Sequence, residues 1–165
     1  MSYYIIIRGP LGVGKSTISG ILAKRLGARH VSIDQILEEN RLDQADKKEG
    51  RIPLKNFIQA NEMIIDDVRK NLNRGKIILF DGCFYHEEQL KDLIEKLSRY
   101  KGFVFNLKAS LKECINRDSN RKRVYGKDAA TAVYGMIKDY GIGEDINTEN
   151  RDEDDVAEEI IEKLK

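Results

Sequence analysis

Apolar and polar positions along this chain alternate between two periods. Short runs rich in β-branched and aromatic residues fall at Tyr3–Arg8, His30–Ile33, Lys76–Phe80 and Phe103–Leu107, with a weaker one at Asp145–Asn147. Between them the apolar residues take helical spacing. Ile18, Ile21, Leu22 and Leu26 share one face, as do Leu54, Phe57, Ile58, Ile65, Val68 and Leu72. Leu90, Leu93, Ile94 and Leu97 repeat at i, i+3, i+4 and i+7, and Val156, Ile160 and Leu164 form the last such face. Gly27 and Gly75 stand where helices are expected to end. Strands alternating with helices predict an α/β fold, a parallel sheet wrapped by helices.

Two segments interrupt this rhythm. Residues 40–52 are polar and charged, and they read as a mobile connection ahead of the helix that follows Pro53. Residues 117–127 are basic, with Arg117, Arg121, Lys122, Arg123 and Lys127. The length of 165 residues suits one domain, 1–165. With 29 basic and 28 acidic residues the net charge is +1, which provides no global field for gripping a polynucleotide. No apolar run approaches the ~20 residues of a membrane span. Tyr3–Ile7 runs into Arg8 and Gly9 rather than into a cleavage site, so it reads as a strand and not an export signal. Cys83 and Cys114 form no paired metal or redox motif. Buried free thiols in a reducing, cytoplasmic compartment are the expectation.

The most specific chemistry lies at Gly9-Pro10-Leu11-Gly12-Val13-Gly14-Lys15-Ser16-Thr17, which matches GxxxxGK[ST] between an expected strand and an expected helix. Glycines let the backbone curl so that successive N–H groups meet phosphate oxygens. The helix that follows adds its positive end. Lys15 can reach the β- and γ-phosphates, Ser16 is placed to ligate Mg²⁺, and Thr17 supports the helix start. Gly9, Leu11, Gly12, Val13 and Gly14 complete the cradle for ATP.

Three further features point to phosphoryl transfer. Val31-Ser32-Ile33-Asp34 puts a carboxylate at the end of the second strand, on the edge where open parallel sheets bind ligands. There Asp34 can orient an acceptor hydroxyl and take its proton, cap the helix expected over Gln35–Glu39, or do both. Ile77-Ile78-Leu79-Phe80-Asp81-Gly82 ends a strand in Asp-Gly, where Asp81 can hold Mg²⁺ and Gly82 can turn the chain beside substrate. Phe84, Tyr85 and His86 follow, and they line an acceptor pocket or belong to the core. The arginines after the fourth strand can clamp charge on a transferring phosphoryl group, or form a solvated face.

With these motifs the chain resembles compact P-loop kinases related to polynucleotide 5′-hydroxyl kinases and zeta-toxin-type kinases, with some likeness to adenylylsulfate kinase. The resemblance is carried by Gly9–Thr17, Ser32–Asp34, Asp81-Gly82 and Arg117–Arg123. It implies a P-loop NTPase fold, a three-layer α/β/α sandwich on five parallel strands in the order 2-3-1-4-5. It also implies a mobile lid near residues 117–127 that carries Arg117 and Arg121, acceptor activation by Asp34, and a place for Thr148 near the adenine. The sequence departs from the group after Asn116-Arg117-Asp118, and Asp81-Gly82 is not followed by Pro-Arg. Asn106-Leu107-Lys108-Ala109 is not the Asn-Lys-x-Asp motif that reads guanine, which favours ATP over GTP. The expected activity is transfer of the γ-phosphate of ATP to a hydroxyl of a small metabolite or nucleotide-like acceptor. A polynucleotide 5′-hydroxyl kinase and a nucleotide-dependent switch without acceptor are the alternatives, and Asp34 and Asp81 can exchange roles.

Overall fold

A computed structural model describes residues 2–122 and 124–165; Met1 and Arg123 lie outside the described residues. In chain order the elements are β1 (Tyr3–Arg8), α1 (Lys15–Leu26), β2 (Arg29–Ser32), α2 (Ile33–Glu39) and α3 (Leu54–Asn73). There follow β3 (Ile78–Gly82), α4 (Glu87–Lys96), β4 (Lys101–Lys108), α5 (Leu111–Ser119), α6 (Lys127–Met136), β5 (Glu144–Asn147) and α7 (Glu153–Lys163). The strands form one sheet in the order β2-β3-β1-β4-β5, and every pairing is parallel. This is the order that the resemblance implied.

Alternation along β1 separates the layers, because successive side chains of a strand point to opposite faces. Tyr4 and Ile6 join Phe57, Val68 and Leu72 of α3 and Leu90 and Leu93 of α4 in one core. Ile5 and Ile7 join Ile18 and Leu22 of α1 and Val156 and Ile160 of α7 in the other. A strand buried on both faces reads as a continuous apolar run, as Tyr4–Ile7 does.

Boundaries differ from expectation where tertiary pairing or capping decides them. β3 begins later and continues through Asp81 and Gly82, because parallel pairing with β1 extends to Ile7↔Asp81 and Arg8↔Gly82. Gly82 therefore sits in the sheet and does not turn the chain: a Cβ there would lie 3.2 Å from Ile33 Cβ and 3.1 Å from the Phe84 ring. β2 ends at Ser32, whose hydroxyl accepts from Gln35 N at 3.4 Å and caps α2. Capping thus falls to Ser32, and Asp34 stands in the first helical turn instead. Helix α6 was not foreseen within and beyond the basic stretch.

Residues 40–52 contain no helix or strand, as expected. The Asp46 carboxylate accepts from the Lys48 and Glu49 amides, which holds its pKa below the ordinary value. Both backbone polar groups of Ile52 are held, its N–H donating to Tyr85 Oη at 3.2 Å and its carbonyl meeting His86 Nε2 at 2.8 Å.

Ile6 has no exposed surface and lies in the central strand, whereas Met63 on α3 is half exposed. Urea unfolding should show Ile6→Ala losing about 2–5 kcal/mol and Met63→Ala staying within about 0.5 kcal/mol of the parent. Equal effects would contradict this packing.

Candidate active site at the P-loop

The loop from Gly9 to Gly14 joins the end of β1 to the start of α1. Gly14 is left-handed at φ 104° and caps α1 without a side chain, so the first amides of the helix face outward unobstructed. Gly12 also has positive φ, at 78°, and a Cβ there would lie 2.1 Å from the Cys114 carbonyl oxygen. Only glycine lets this loop approach α5 so closely. Val13 turns inward and is wholly buried in the core with Ile18 and Leu22. Lys15 is folded back, its ammonium donating to Pro10 O at 2.7 Å.

A cavity of about 430 Å³ opens over this loop. Leu11, Gly12, Gly14, Lys15, Ser16 and Thr17 form its floor. Ser32, Asp34, Gln35 and Glu38 contribute from the end of β2 and from α2, and Asp81 from β3. Arg117, Asn120, Arg121, Tyr125 and Glu153 complete it. The fold thus gathers most of the residues singled out in the sequence around one space. Gly9, Val13 and Thr148 are buried and lie outside the lining.

Asp34 is exposed to the cavity, yet the protein packed around it pushes its carboxyl above the ordinary value near 3.8. The nearby Lys15 and Arg121 charges oppose the shift, and the Asp81 charge adds to it. Asp81 is buried, and its Oδ2 lies 2.8 Å from His30 Nε2. That leaves the second carboxylate oxygen to other partners. His30 was missed in the sequence; the available signal was its place two residues before Ser32, on the same face of β2.

The two arginines occupy different settings. Arg117 bonds backward into the fold: Nη1 donates to Val13 O at 3.0 Å and to Thr148 Oγ1 at 3.0 Å, and Nη2 donates to Thr148 O at 2.8 Å. Its Nε donates to Glu113 Oε1 at 2.7 Å. The Thr148 hydroxyl also reaches Val13 O, at 3.2 Å, so Thr148 lies behind the loop. Arg121 is exposed, with its guanidinium 5.8 Å from the centre of the Tyr125 ring. Lys122 and Lys127 are exposed and do not line the cavity. Arg123 falls outside the described residues. Asp118, another residue missed in the sequence, is buried and accepts from the Tyr125 and Gly126 amides at 3.3 and 2.9 Å, shaping this turn.

Phe84, Tyr85 and His86 are core residues that do not line the cavity. Tyr85 and His86 pack edge-on against Phe57 at 5.3 and 5.4 Å between ring centres. Cys83 and Cys114 are free and buried, and burial pushes the Cys83 thiol up to about 11, as expected of structural cysteines.

Magnesium is implied by the motif. Ser16 and Asp81 offer a hydroxyl and a carboxylate to one cavity, the hard oxygen donors that this ion takes. Among the described residues no group of three or more His, Cys, Asp and Glu side chains could hold a metal ion. Among the same residues, no helix is long and apolar enough to cross a membrane.

Residues 5–133 match a family model described as AAA domain. The chain belongs to the AAA domain family. Curated relatives of this AAA domain include the adenylate kinase of Elusimicrobium minutum, 29% identical across 68% of this chain and 56% of the relative's length. The adenylate kinase of Caldicellulosiruptor saccharolyticus is 27% identical, covering 96% of this chain and 78% of its own. Among solved structures, a sugar kinase from a Janibacter species superposes with a TM-score of 0.79 at 12% identity, over 99% of this chain and 95% of that one. The APS kinase of Mycobacterium tuberculosis, solved with AMPPNP and APS, has a TM-score of 0.73 at 17% identity, over 99% and 97%. These proteins share a P-loop kinase fold with this AAA domain, and their acceptors differ.

The contrast between the arginines is testable. Arg117→Ala should loosen the loop, lowering Tm and raising KM for ATP. Arg121→Ala should leave both nearly unchanged and cut kcat by ~10³-fold or more, the scale of an arginine that meets transferring charge. Equivalent kinetic effects of the two substitutions would contradict the assignment.

Proposed function

We propose that this chain is an ATP-dependent kinase that passes the γ-phosphate to a hydroxyl of a small acceptor. The observation that supports this reading most is the placement of Asp34 in the same cavity as Lys15, Ser16 and Asp81. A phosphate-gripping loop alone serves hydrolysis as well as transfer. A carboxylate with a raised pKa that shares its space is what an acceptor hydroxyl requires.

In this mechanism the loop amides from Leu11 to Ser16 and the end of α1 hold the β- and γ-phosphates. Lys15 leaves Pro10 O to meet them, exchanging a neutral acceptor for charged ones. Ser16 and Asp81 would hold the magnesium, with His30 fixing one oxygen of Asp81. Bound there, the ion would neutralise charge on the β- and γ-oxygens. Asp34 orients the acceptor hydroxyl and receives its proton. Arg121 meets charge on the equatorial oxygens, while Arg117 keeps the loop in shape. The turn after α5 that carries Arg121 closes over the phosphates and excludes water. Placement and charge compensation carry the catalysis. A cytoplasmic setting suits a consumer of ATP whose two cysteines are buried thiols.

A nucleotide acceptor is the second reading, favoured by the name adenylate kinase that the curated relatives carry.

The acid limb of the rate profile tests the role of Asp34. As base it must be ionised, so kcat should fall as pH drops through an apparent pKa above 3.8. Asp34→Asn should bind ATP normally and lose transfer by about 10²–10⁴-fold. The fold favours the neutral carboxyl, so its stability contribution is full at low pH and is lost as pH rises through the raised pKa. Asp34→Asn should therefore melt higher than the parent at neutral pH. Retained transfer, or a lower Tm, would count against Asp34 as the base.

A further inference from the structure

Granted the kinase reading, the order of the strands sets the direction in which the nucleotide lies. Asp81 ends β3 and Asp34 stands in the first turn of α2, after β2, both to one side of β1 and its phosphate loop. Strands β4 and β5 lie to the other side. Transfer to a hydroxyl oriented by Asp34 puts the γ-phosphate toward the first side. A triphosphate is a linear chain, so the nucleoside it carries lies toward the second. There the cavity is lined by Arg117 in α5, by Asn120 at its end, and by Glu153 at the start of α7.

The connection from β5 to α7 fixes Glu153 in place. The Thr148 amide donates to Lys108 O at 2.8 Å, and its hydroxyl donates to Val13 O at 3.2 Å. Glu149 accepts from the Ser110 hydroxyl and amide at 2.7 and 2.9 Å, bonds that hold its carboxyl below the ordinary value. Arg151 donates to Asn147 O and to Glu159, and Asp152 caps α7 through the Asp154 amide. Each of these side chains is tied to the fold, whereas Glu153 lines the cavity. Arg117 is likewise committed, to Glu113, Val13 and Thr148. Asn120 donates from Nδ2 to Asn116 O at 2.9 Å, which leaves its carbonyl oxygen to accept from a ligand.

Two acceptors, one of them a carboxylate, suit a ligand that brings donors. Ribose hydroxyls and an exocyclic base amine are the donors that a nucleoside offers. A hydrogen bond to a carboxylate is about twice as strong as one between neutral groups. A neutral donor also brings no negative charge for the carboxylate to repel. We propose, resting on the kinase reading for where the nucleoside lies, that Glu153 reads the nucleoside of the donor triphosphate by accepting hydrogen bonds from its ribose hydroxyls or its base amine.

Calorimetric titration in excess magnesium tests this with ATP, 2′-deoxy-ATP, 3′-deoxy-ATP and purine riboside triphosphate, on the parent, Glu153→Ala and Glu153→Gln. Glu153 is exposed, and circular dichroism checks that each variant folds. The parent should bind ATP at least about tenfold more tightly than one of the analogues, the scale of a hydrogen bond to a charged group. Preference over a deoxy analogue assigns the hydroxyls, and preference over the purine riboside assigns the amine. Glu153→Ala should weaken ATP by about that factor and leave the discriminated analogue within about twofold of its parent affinity. Glu153→Gln, which keeps an acceptor oxygen, should retain part of the preference. A carboxylate that merely lay near the phosphates predicts the opposite sign, since its removal would lift a like charge and tighten every nucleotide alike. That result, an unchanged ATP affinity in Glu153→Ala, or no preference in the parent would overturn the proposal. The expected preferences without transfer of label from γ-labelled ATP to any hydroxyl compound would overturn the kinase reading and leave the role of Glu153 standing.

Discussion

A loop can hold a triphosphate only if its amides are free and its carbonyls are occupied elsewhere. In this chain two of the loop carbonyls are occupied from behind. The Val13 carbonyl takes hydrogen bonds from Arg117 and Thr148, and the Pro10 carbonyl takes one from Lys15. Gly12 lets α5 come against the loop, and that approach brings Arg117 within reach. The buried Val13 side chain pins the centre of the loop to the core under α1. Within the loop the Val13 amide donates to Pro10 O at 3.4 Å, and the geometry of everything else around the cavity is set relative to this turn.

The sheet order then decides what surrounds the loop. Because β3 lies between β1 and β2, the carboxyl ends of three neighbouring strands deliver the phosphate loop, Asp81 and the start of α2 to one edge. The chain leaves β1 toward β2 on one side and leaves the adjacent β4 toward β5 on the other, and at such a switch point a crevice opens in an α/β sheet. Arg8, at the end of β1, is buried, and it ties that edge together by donating to Phe84 O, Asn106 Oδ1 and Lys138 O while lying 4.4 Å from the centre of the Tyr140 ring. Burial lowers the guanidinium's pKa, and these oxygens and the ring stand in for the water it has lost.

How much the sequence disclosed depends on the range of each interaction. The strand–loop–helix at Tyr3–Leu26 was legible because its signals are local: an apolar run, glycines that must adopt positive φ, and helical spacing after Lys15. Asp34 and Asp81 were legible by position, since strands of a parallel sheet end at the ligand edge. Their surroundings were not. Asp34 could also be read as a cap until Ser32 took that place, and Gly82 read as a turn until its pairing with Arg8 put it in the sheet. The basic run after α5 looked uniform in sequence, yet Arg117 bonds inward and Lys122 faces solvent. Those fates depend on residues 31 or 104 positions away, and no local pattern carries them. His30 beside Asp81 was hidden for the same reason.

The claim beneath all of this is that the loop amides and Lys15 bind a nucleotide triphosphate. Isothermal titration calorimetry with magnesium and ATP, on the parent chain and on Lys15→Ala shown by circular dichroism to be folded, tests it directly. Saturable binding by the parent and a loss of at least about tenfold in affinity on removing the ammonium, an ion-pair contribution of about 1.4 kcal/mol or more, is the expected result. No heat from the parent, or equal affinities for the two proteins, would contradict it.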